Sequence, residues 1–305
     1  MYIFIINPAA GYGRANKVYD KLKRTKAYRD IKSQSFFTEY LGHAEEIAQS
    51  IAKRKHTPRC VIVIGGDGTL HEVINGLSGS SVSVAFIPGG SGNDFARGIS
   101  LKGHAVDIFE RILQEHRTIE YWCGDYTIEG TTRQFVNSIG FGFDAEITRQ
   151  ANQSVYKKWL SIFYLSSLSY VFALIYMIFY FKPMTVTLKL DGQLHKIESC
   201  WMITIANQPY YGGGMKIIPH ATVQPDVFSL LVIRSISKWK ILALFMTVFA
   251  GKHLTFKEVE CFDASDIEIH SSRPICYQVD GQTGVCQHAK IRKNSDYVRV
   301  ASDIQ

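Results

Sequence analysis

Two rhythms divide the chain. Up to about residue 123, short apolar runs (residues 2–6 and 60–64 unbroken, 82–87 interrupted only by Ser83, with a weaker one at 32–37) alternate with stretches whose apolar positions recur every three or four residues. One such stretch follows Leu70, Val73, Ile74 and Leu77, and another begins near Ala15. A strand that is apolar at every position is buried on both faces, and helical stretches between such strands supply the cover, so this half predicts a parallel sheet with helices on both sides. Beyond about residue 124 the strands become shorter and alternating, as at residues 185–190 before Asp191-Gly192, at 200–206 and at 228–233. That change predicts an antiparallel second domain. The expected division is residues 1–123 and residues 124–305.

The ends of three first-half strands carry small, glycine-rich loops: Asn7-Pro8-Ala9-Ala10-Gly11, then Gly65-Gly66-Asp67-Gly68-Thr69, then Pro88-Gly89-Gly90-Ser91-Gly92-Asn93-Asp94. In an open parallel sheet these ends share one side, where ligands of such folds bind. A glycine turn running into a helix N-terminus offers bare backbone and free N–H groups to an anion, and the helix dipole favours negative charge there. An ordinary tight turn explains any one of the loops, but three together are harder to explain that way. Asp67, Glu72 and Asp94 are carboxylates able to hold or position magnesium.

Taken together, NPAAG, GGDGTLHEVING and PGGSGNDFAR resemble the catalytic domain of the diacylglycerol kinase and sphingosine kinase superfamily, most closely its soluble bacterial lipid kinases. The resemblance continues through FVNSIGFGFDA at residues 135–145, NQPYYGGGMKIIP at 207–219 and Val279-Asp280-Gly281. It implies a Rossmann-like, three-layer α/β domain, then an antiparallel β-sandwich, with the active site in the cleft between them and the last residues returning to the first domain. The implied chemistry is transfer of the γ-phosphoryl group of ATP to a diacylglycerol-like lipid hydroxyl, with Mg2+. By resemblance, Asn7, Gly11, Thr38, Gly65, Gly66, Asp67, Gly68, Thr69, Leu70, His71, Glu72, Ser91 and Asn93 contact the nucleotide, and Asp144, Asp67 and Gln282 form the catalytic set. Thr38 serves equally well as a cap for a helix over residues 41–48.

Two departures from the family pattern bear on activity. The family's VDGE glutamate, its proton acceptor, is Gln282 here, and an amide takes no proton. The family's aspartate-glycine near a structural magnesium falls on Pro225-Asp226, so Asp226 is the remaining metal candidate. A nucleotide-binding pseudokinase and an NAD kinase, which shares GGDGT-type chemistry, therefore stand as alternatives.

Composition narrows the field. The chain has 305 residues, 46% hydrophobic and 20% charged, which is ordinary for two packed domains. Six cysteines without a CxxC pair suggest free thiols in a reducing compartment. Net charge is +7, with eight Lys/Arg against two Asp between Arg14 and Lys32, which suits a nucleotide or an acidic membrane surface. No nucleic-acid-binding motif accompanies the charge, so nucleic acid is not an expected partner. Residues 159–181 contain no charge and are long enough to span a bilayer. The serines and tyrosines within that segment, and a cleft that by resemblance needs Asp144 and the GGGM segment on one side, instead favour a helix packed on the second domain or touching the membrane. Residues 239–250 are equally well explained as core. Without a basic leader at its start, the chain is expected to be cytoplasmic, peripheral to the inner face of the cell membrane, with a membrane lipid as substrate and a homodimer left open.

Overall fold

A computed structural model describes residues 1–115, 117–153 and 177–301. The first rhythm becomes a sheet in which β1 (Tyr2–Ile6), β2 (Ser33–Phe37), β3 (Cys60–Gly65) and β4 (Val84–Pro88) run parallel in the order β2-β1-β3-β4. Alternate residues of each strand serve opposite faces. Ile3, Ile5, Val61, Val63 and Phe86 pack with helices α3 (His43–Ala52) and α4 (Asp67–Gly76). Phe4, Ile6, Ile62, Ile64 and Ile87 pack with α1 (Arg14–Lys23) and α6 (Ala105–Glu115) on the other face. The short helix α2 (Lys26–Arg29) adds to this face, and the short helix α5 (Asp94–Gly98) packs Phe95 and Ala96 with α3 and α4 on the other.

The sheet continues through the end of the chain. β17 (Val298–Ala301) lies between β4 and β5 (Thr118–Tyr121), parallel to the first and antiparallel to the second. The two crossings between domains run side by side, where the Asn294 N–H donates to the Cys123 carbonyl at 3.2 Å.

The second domain is a nine-stranded antiparallel sheet folded on itself as a sandwich. Its main path is β14-β13-β10-β8-β15-β16-β6-β7, with β9 joined to both β10 and β15. These strands are β6 (Gly124–Ile128), β7 (Thr131–Phe135), β8 (Ser138–Gly142), β9 (Met184–Leu190), β10 (Gln193–Ala206), β13 (Phe228–Arg234), β14 (Val259–Ala264), β15 (Asp266–Val279) and β16 (Gln282–Lys293). A two-stranded ribbon, β11 (Tyr210–Tyr211) and β12 (Met215–Lys216), projects toward the first domain. Phe135, Ile139, Phe141, Ile203, Ile205 and Phe228 fill the sandwich. On the opposite face, Met202, Leu231 and Ile233 pack with Phe143 of α7 (Phe143–Gln153) and with Ile241, Leu244 and Val248 of α8 (Lys238–Val248). Residues 239–250, expected as core, are core on one face only.

Most of the apolar segment 159–181 lies outside the described residues. Among the described residues no helix is long and apolar enough to cross a membrane. All six cysteines are free, and five are buried.

Candidate active site

The three glycine-rich loops meet at the carboxyl ends of β1, β3 and β4, and they touch backbone to backbone. A Cβ on Gly11, whose φ is +58°, would stand 2.3 Å from the Gly89 carbonyl oxygen, and one on Gly90 would stand 2.5 Å from the Gly66 Cα. At these positions glycine is demanded by loop packing, independent of any ligand. Gly68 differs, because a Cβ there would meet nothing within 4 Å. Asn7 ties the loops together by donating from Nδ2 to Thr69 Oγ1 at 3.0 Å. Thr38, buried at the end of β2, donates its N–H to the Ile6 carbonyl at 2.8 Å. Asn93 closes its own loop, exchanging amide hydrogen bonds with Gly90 at 3.0 Å each.

The carboxylates of this region are engaged with backbone donors. Asp67 accepts from the N–H groups of Asp94 and Phe95 at 3.1 and 2.9 Å, so it caps α5 from the neighbouring loop of the same domain. Burial raises its pKa, the Phe95 N–H opposes the rise, and neighbouring Asp94 adds to it. Glu72 accepts from Gly42 and Ala44 at 3.0 and 3.2 Å, capping α3. Asp94 accepts from the Gly213 N–H at 2.7 Å and pairs with Arg97, joining the first domain to the glycine-rich loop between β11 and β12. The α4 N-cap is Gly66, which brings no capping side chain, and among the described residues no other side chain accepts from the first-turn N–H groups of this helix. Its first turn is therefore the N-terminus open to an outside anion.

Asp280 holds the domains together. One carboxylate oxygen accepts from the N–H groups of Asn137 and Ser138, and the other from the Val136 N–H and His71 Nδ1, at 2.7 to 3.2 Å. Asn137 and Gln208 continue this buried network, linked at 3.0 Å, and Gln208 also donates to the Asp94 carbonyl.

A cleft of about 540 Å³ runs between the domains. Asp67, Ser91, Gly92, Asn137 and Asp280 line its polar end. Phe143, Met202, Ile217, Ile241, Leu244, Phe245 and Val248 line an apolar gallery at the other. Asp144 lies on the cleft wall between them. Tyr211 donates its hydroxyl to Asp144 Oδ2 at 2.9 Å, while the buried Oδ1 has no hydrogen-bond partner among the described residues. Burial pushes the Asp144 carboxyl up to about 6, against the pull of Tyr211 and of backbone N–H groups. Gln278 lies alongside with its Nε2 also unpartnered, and a Cβ on Gly140 would meet both side chains.

Residues 1–121 match the diacylglycerol kinase catalytic domain, and residues 137–298 match the YegS C-terminal NAD kinase beta sandwich-like domain. The "Putative lipid kinase YtlR" of Bacillus subtilis strain 168 is 31% identical over 288 residues, covering 92% of this chain and 93% of its own. The chain belongs to the diacylglycerol kinase-like lipid kinase family. A diacylglycerol kinase of Mycobacterium tuberculosis H37Rv is 28% identical over 87% of this chain and 83% of its own. Among solved structures, the crystal structure of "a putative diacylglycerol kinase" from Bacillus anthracis Sterne superposes with TM-score 0.75 at 21% identity, over 99% of this chain and 95% of that one. An NAD kinase from Archaeoglobus fulgidus in complex with ATP superposes at 0.56 with 12% identity, over 99% and 94%. At these identities the superpositions show a shared fold.

Within this kinase fold the expected site residues separate. Asn7, Gly66, Asp67, Gly68, Thr69, Ser91 and Asn93 come together at the loop end. Leu70, His71 and Glu72, expected at the nucleotide, are buried and directed elsewhere: Leu70 into the core, His71 onto Asp280, Glu72 onto α3. Helical geometry explains this, because only the first turn of α4 faces the loops while later residues rotate into the domain. Gln282 pairs across the hairpin with Val279, a sandwich-core residue, and so shares its face. Gln278 is the glutamine beside Asp144. Asp226, the metal candidate, is exposed and faces Lys293, which feels its charge. Among the described residues no three His, Cys, Asp or Glu side chains converge to hold a metal. Sequence reasoning missed Asn137, Gln208, Tyr211 and Gln278 as site residues. The first three stand in the motif segments already singled out, whereas Gln278 carries no signal of its own.

Proposed function

We propose that the chain transfers the γ-phosphoryl group of ATP to the hydroxyl of a diacylglycerol-like lipid at a membrane surface. One observation carries this reading: a single cleft joins the open α4 N-terminus to a long apolar gallery, with a proton-accepting carboxylate between them. The first turn of α4 and the Ser91 hydroxyl bind phosphate oxygens, and the gallery takes acyl chains. Bound ATP supplies the phosphoryl group. Gln278 Nε2 donates to the acceptor oxygen, Asp144 Oδ1 takes the hydroxyl proton as the new P–O bond forms and the bond from the γ-phosphorus to the β,γ-bridging oxygen breaks to release ADP, and Tyr211 fixes the carboxylate's orientation. Among the described residues no all-carboxylate cage for Mg2+ is present, which suits an ion whose ligands are mostly phosphate oxygens and water.

A pseudokinase is the second reading, raised by Gln282 in place of the family glutamate, although residue 282 shares the face of core residue Val279 rather than that of Asp144. Phosphoryl transfer leans more on positioning than on the base, so the expected outcome is slow but real turnover. Incubation of the purified chain with γ-labelled ATP, a panel of hydroxyl lipids and NAD tests all of this. Label in the organic phase supports the lipid kinase, label on NAD replaces it with an NAD kinase, and nucleotide binding without transfer leaves the pseudokinase.

A further inference from the structure

The helix that walls the apolar gallery is apolar on both sides. Ile241, Leu244 and Val248 of α8 face inward. On its outer side Trp239, Met246 and Phe249 are 71, 79 and 61% exposed, spaced i, i+7 and i+10, which places them along one stripe. Phe179, itself exposed, extends the stripe, its ring edge-on to Trp239 with centroids 5.4 Å apart. Soluble chains rarely leave so many large apolar side chains adjacent and uncovered.

Charge identifies the occupant. Residues 236–257, which contain all of α8 and the turn after it, include four lysines and no aspartate or glutamate. Lys240 is partly used on Glu258 at 2.7 Å and Lys238 on the Phe179 carbonyl, while Lys252 and Lys257 are exposed. A tryptophan-bearing apolar stripe rimmed by lysines, with Glu258 buried beneath Lys240, matches an anionic bilayer, where aromatic rings sit at headgroup level and lysines meet lipid charge. We propose that the outer face of α8, with Phe179, is the surface by which this protein lies on an anionic membrane. That position puts a single helix between the bilayer and the gallery, so a lipid enters the cleft past α8 without crossing bulk water. The proposal rests on the lipid-kinase reading for the identity of the gallery's ligand, but the docking itself is read separately.

The test is co-sedimentation of the full chain with phosphatidylglycerol or phosphatidylcholine vesicles, comparing wild type with a Trp239→Gln, Met246→Gln, Phe249→Gln triple variant. Wild type is expected to pellet with the anionic vesicles, less so at high salt and with phosphatidylcholine, and the triple variant is expected to lose about tenfold or more in partitioning. Brominated lipid should quench wild-type fluorescence, and Trp239→Phe should abolish most of that quenching, which confirms the contact in a chain with its fold intact. A short-chain diacylglycerol dispersed as monomers should be turned over equally by wild type and triple variant. If neither form phosphorylates it, the kinase reading fails while the vesicle result still stands. Unchanged pelleting of the triple variant overturns the proposal. So does a wild type that ignores vesicles but sediments as a dimer that the triple substitution breaks, because the stripe is then a contact between copies.

Discussion

Asp144→Asn should make the protein more stable and less active, and both effects come from one feature. The Asp144 carboxyl is buried beside the gallery, and burial lifts its pKa from 3.8 to about 6. A carboxylate held above its unfolded value binds its proton more tightly in the folded chain, so its favourable contribution is complete below about pH 4 and is lost as pH rises through 6. A lift of about two units corresponds to roughly 3 kcal/mol, the strain of keeping an ionised carboxylate buried at pH 8. Asparagine carries no charge to bury and still presents an oxygen to Tyr211, so urea unfolding at pH 8 should show it more stable than wild type by about 2 to 3 kcal/mol, and the gap should close near pH 4.5. Lipid phosphorylation by wild type should rise with pH through about 6 and level off, while the variant loses about 10² to 10⁴ in turnover. Equal stability of the two proteins at both pH values, or a variant weaker at pH 8, refutes the reasoning, because the carboxylate then carries no burial strain and loses its claim as a base working near neutrality.

Other residues give sharper contrasts. Gly90→Ala should unfold more easily by about 1 to 3 kcal/mol because its Cβ strikes Gly66, whereas Gly68→Ala should fold normally yet weaken ATP binding in calorimetric titration, its Cβ standing in the open space above α4. Glu72→Ala removes the acceptor of two α3 N–H groups and should lower urea stability by about 1 to 3 kcal/mol while leaving ATP affinity in the folded protein unchanged. Gln278→Leu should raise KM for lipid without altering nucleotide affinity, and Gln282→Glu should change turnover by less than about threefold, since residue 282 shares the face of Val279; a large gain in the latter would return the proton-acceptor role to that position.

The two-domain division was legible because burial on two faces writes an unbroken apolar run, as in 60–64, while burial on one face writes alternation. The three loops were legible for the same reason, each standing where such a run stops. What could not be read is direction. GGDGTLHEVING names consecutive residues, but a helix turns about 100° per residue, so Asp67 and Gly68 face the cleft while Leu70, His71 and Glu72 turn into the protein. Likewise Gln278 and Gln282 look equivalent around the Asp280-Gly281 turn, and only the hairpin register separates them. The outward stripe of α8 was hidden because a helix apolar all round reads as core until its neighbours are known.

The same chemistry is used on the protein itself and left open for a ligand. Asp67 supplies an anion to the N-terminus of α5, Glu72 to that of α3, and Asp280 to three successive N–H groups at 136–138. Asp67 and Glu72 come from a motif that sequence alone assigns to nucleotide and magnesium, and Asp280 from the segment that leads into Gln282. Their engagement draws the loops, α3 and the second domain into fixed positions around α4, whose own first turn is given no such partner. Fixing the surrounding donors in advance lowers the reorganisation a bound phosphate requires, which is how preorganised sites favour the charge that develops in transfer. On the proposed reading the acidic residues of these motifs act by building the cradle, and accepting a proton falls to Asp144, the cleft carboxylate that keeps an unpartnered oxygen among the described residues.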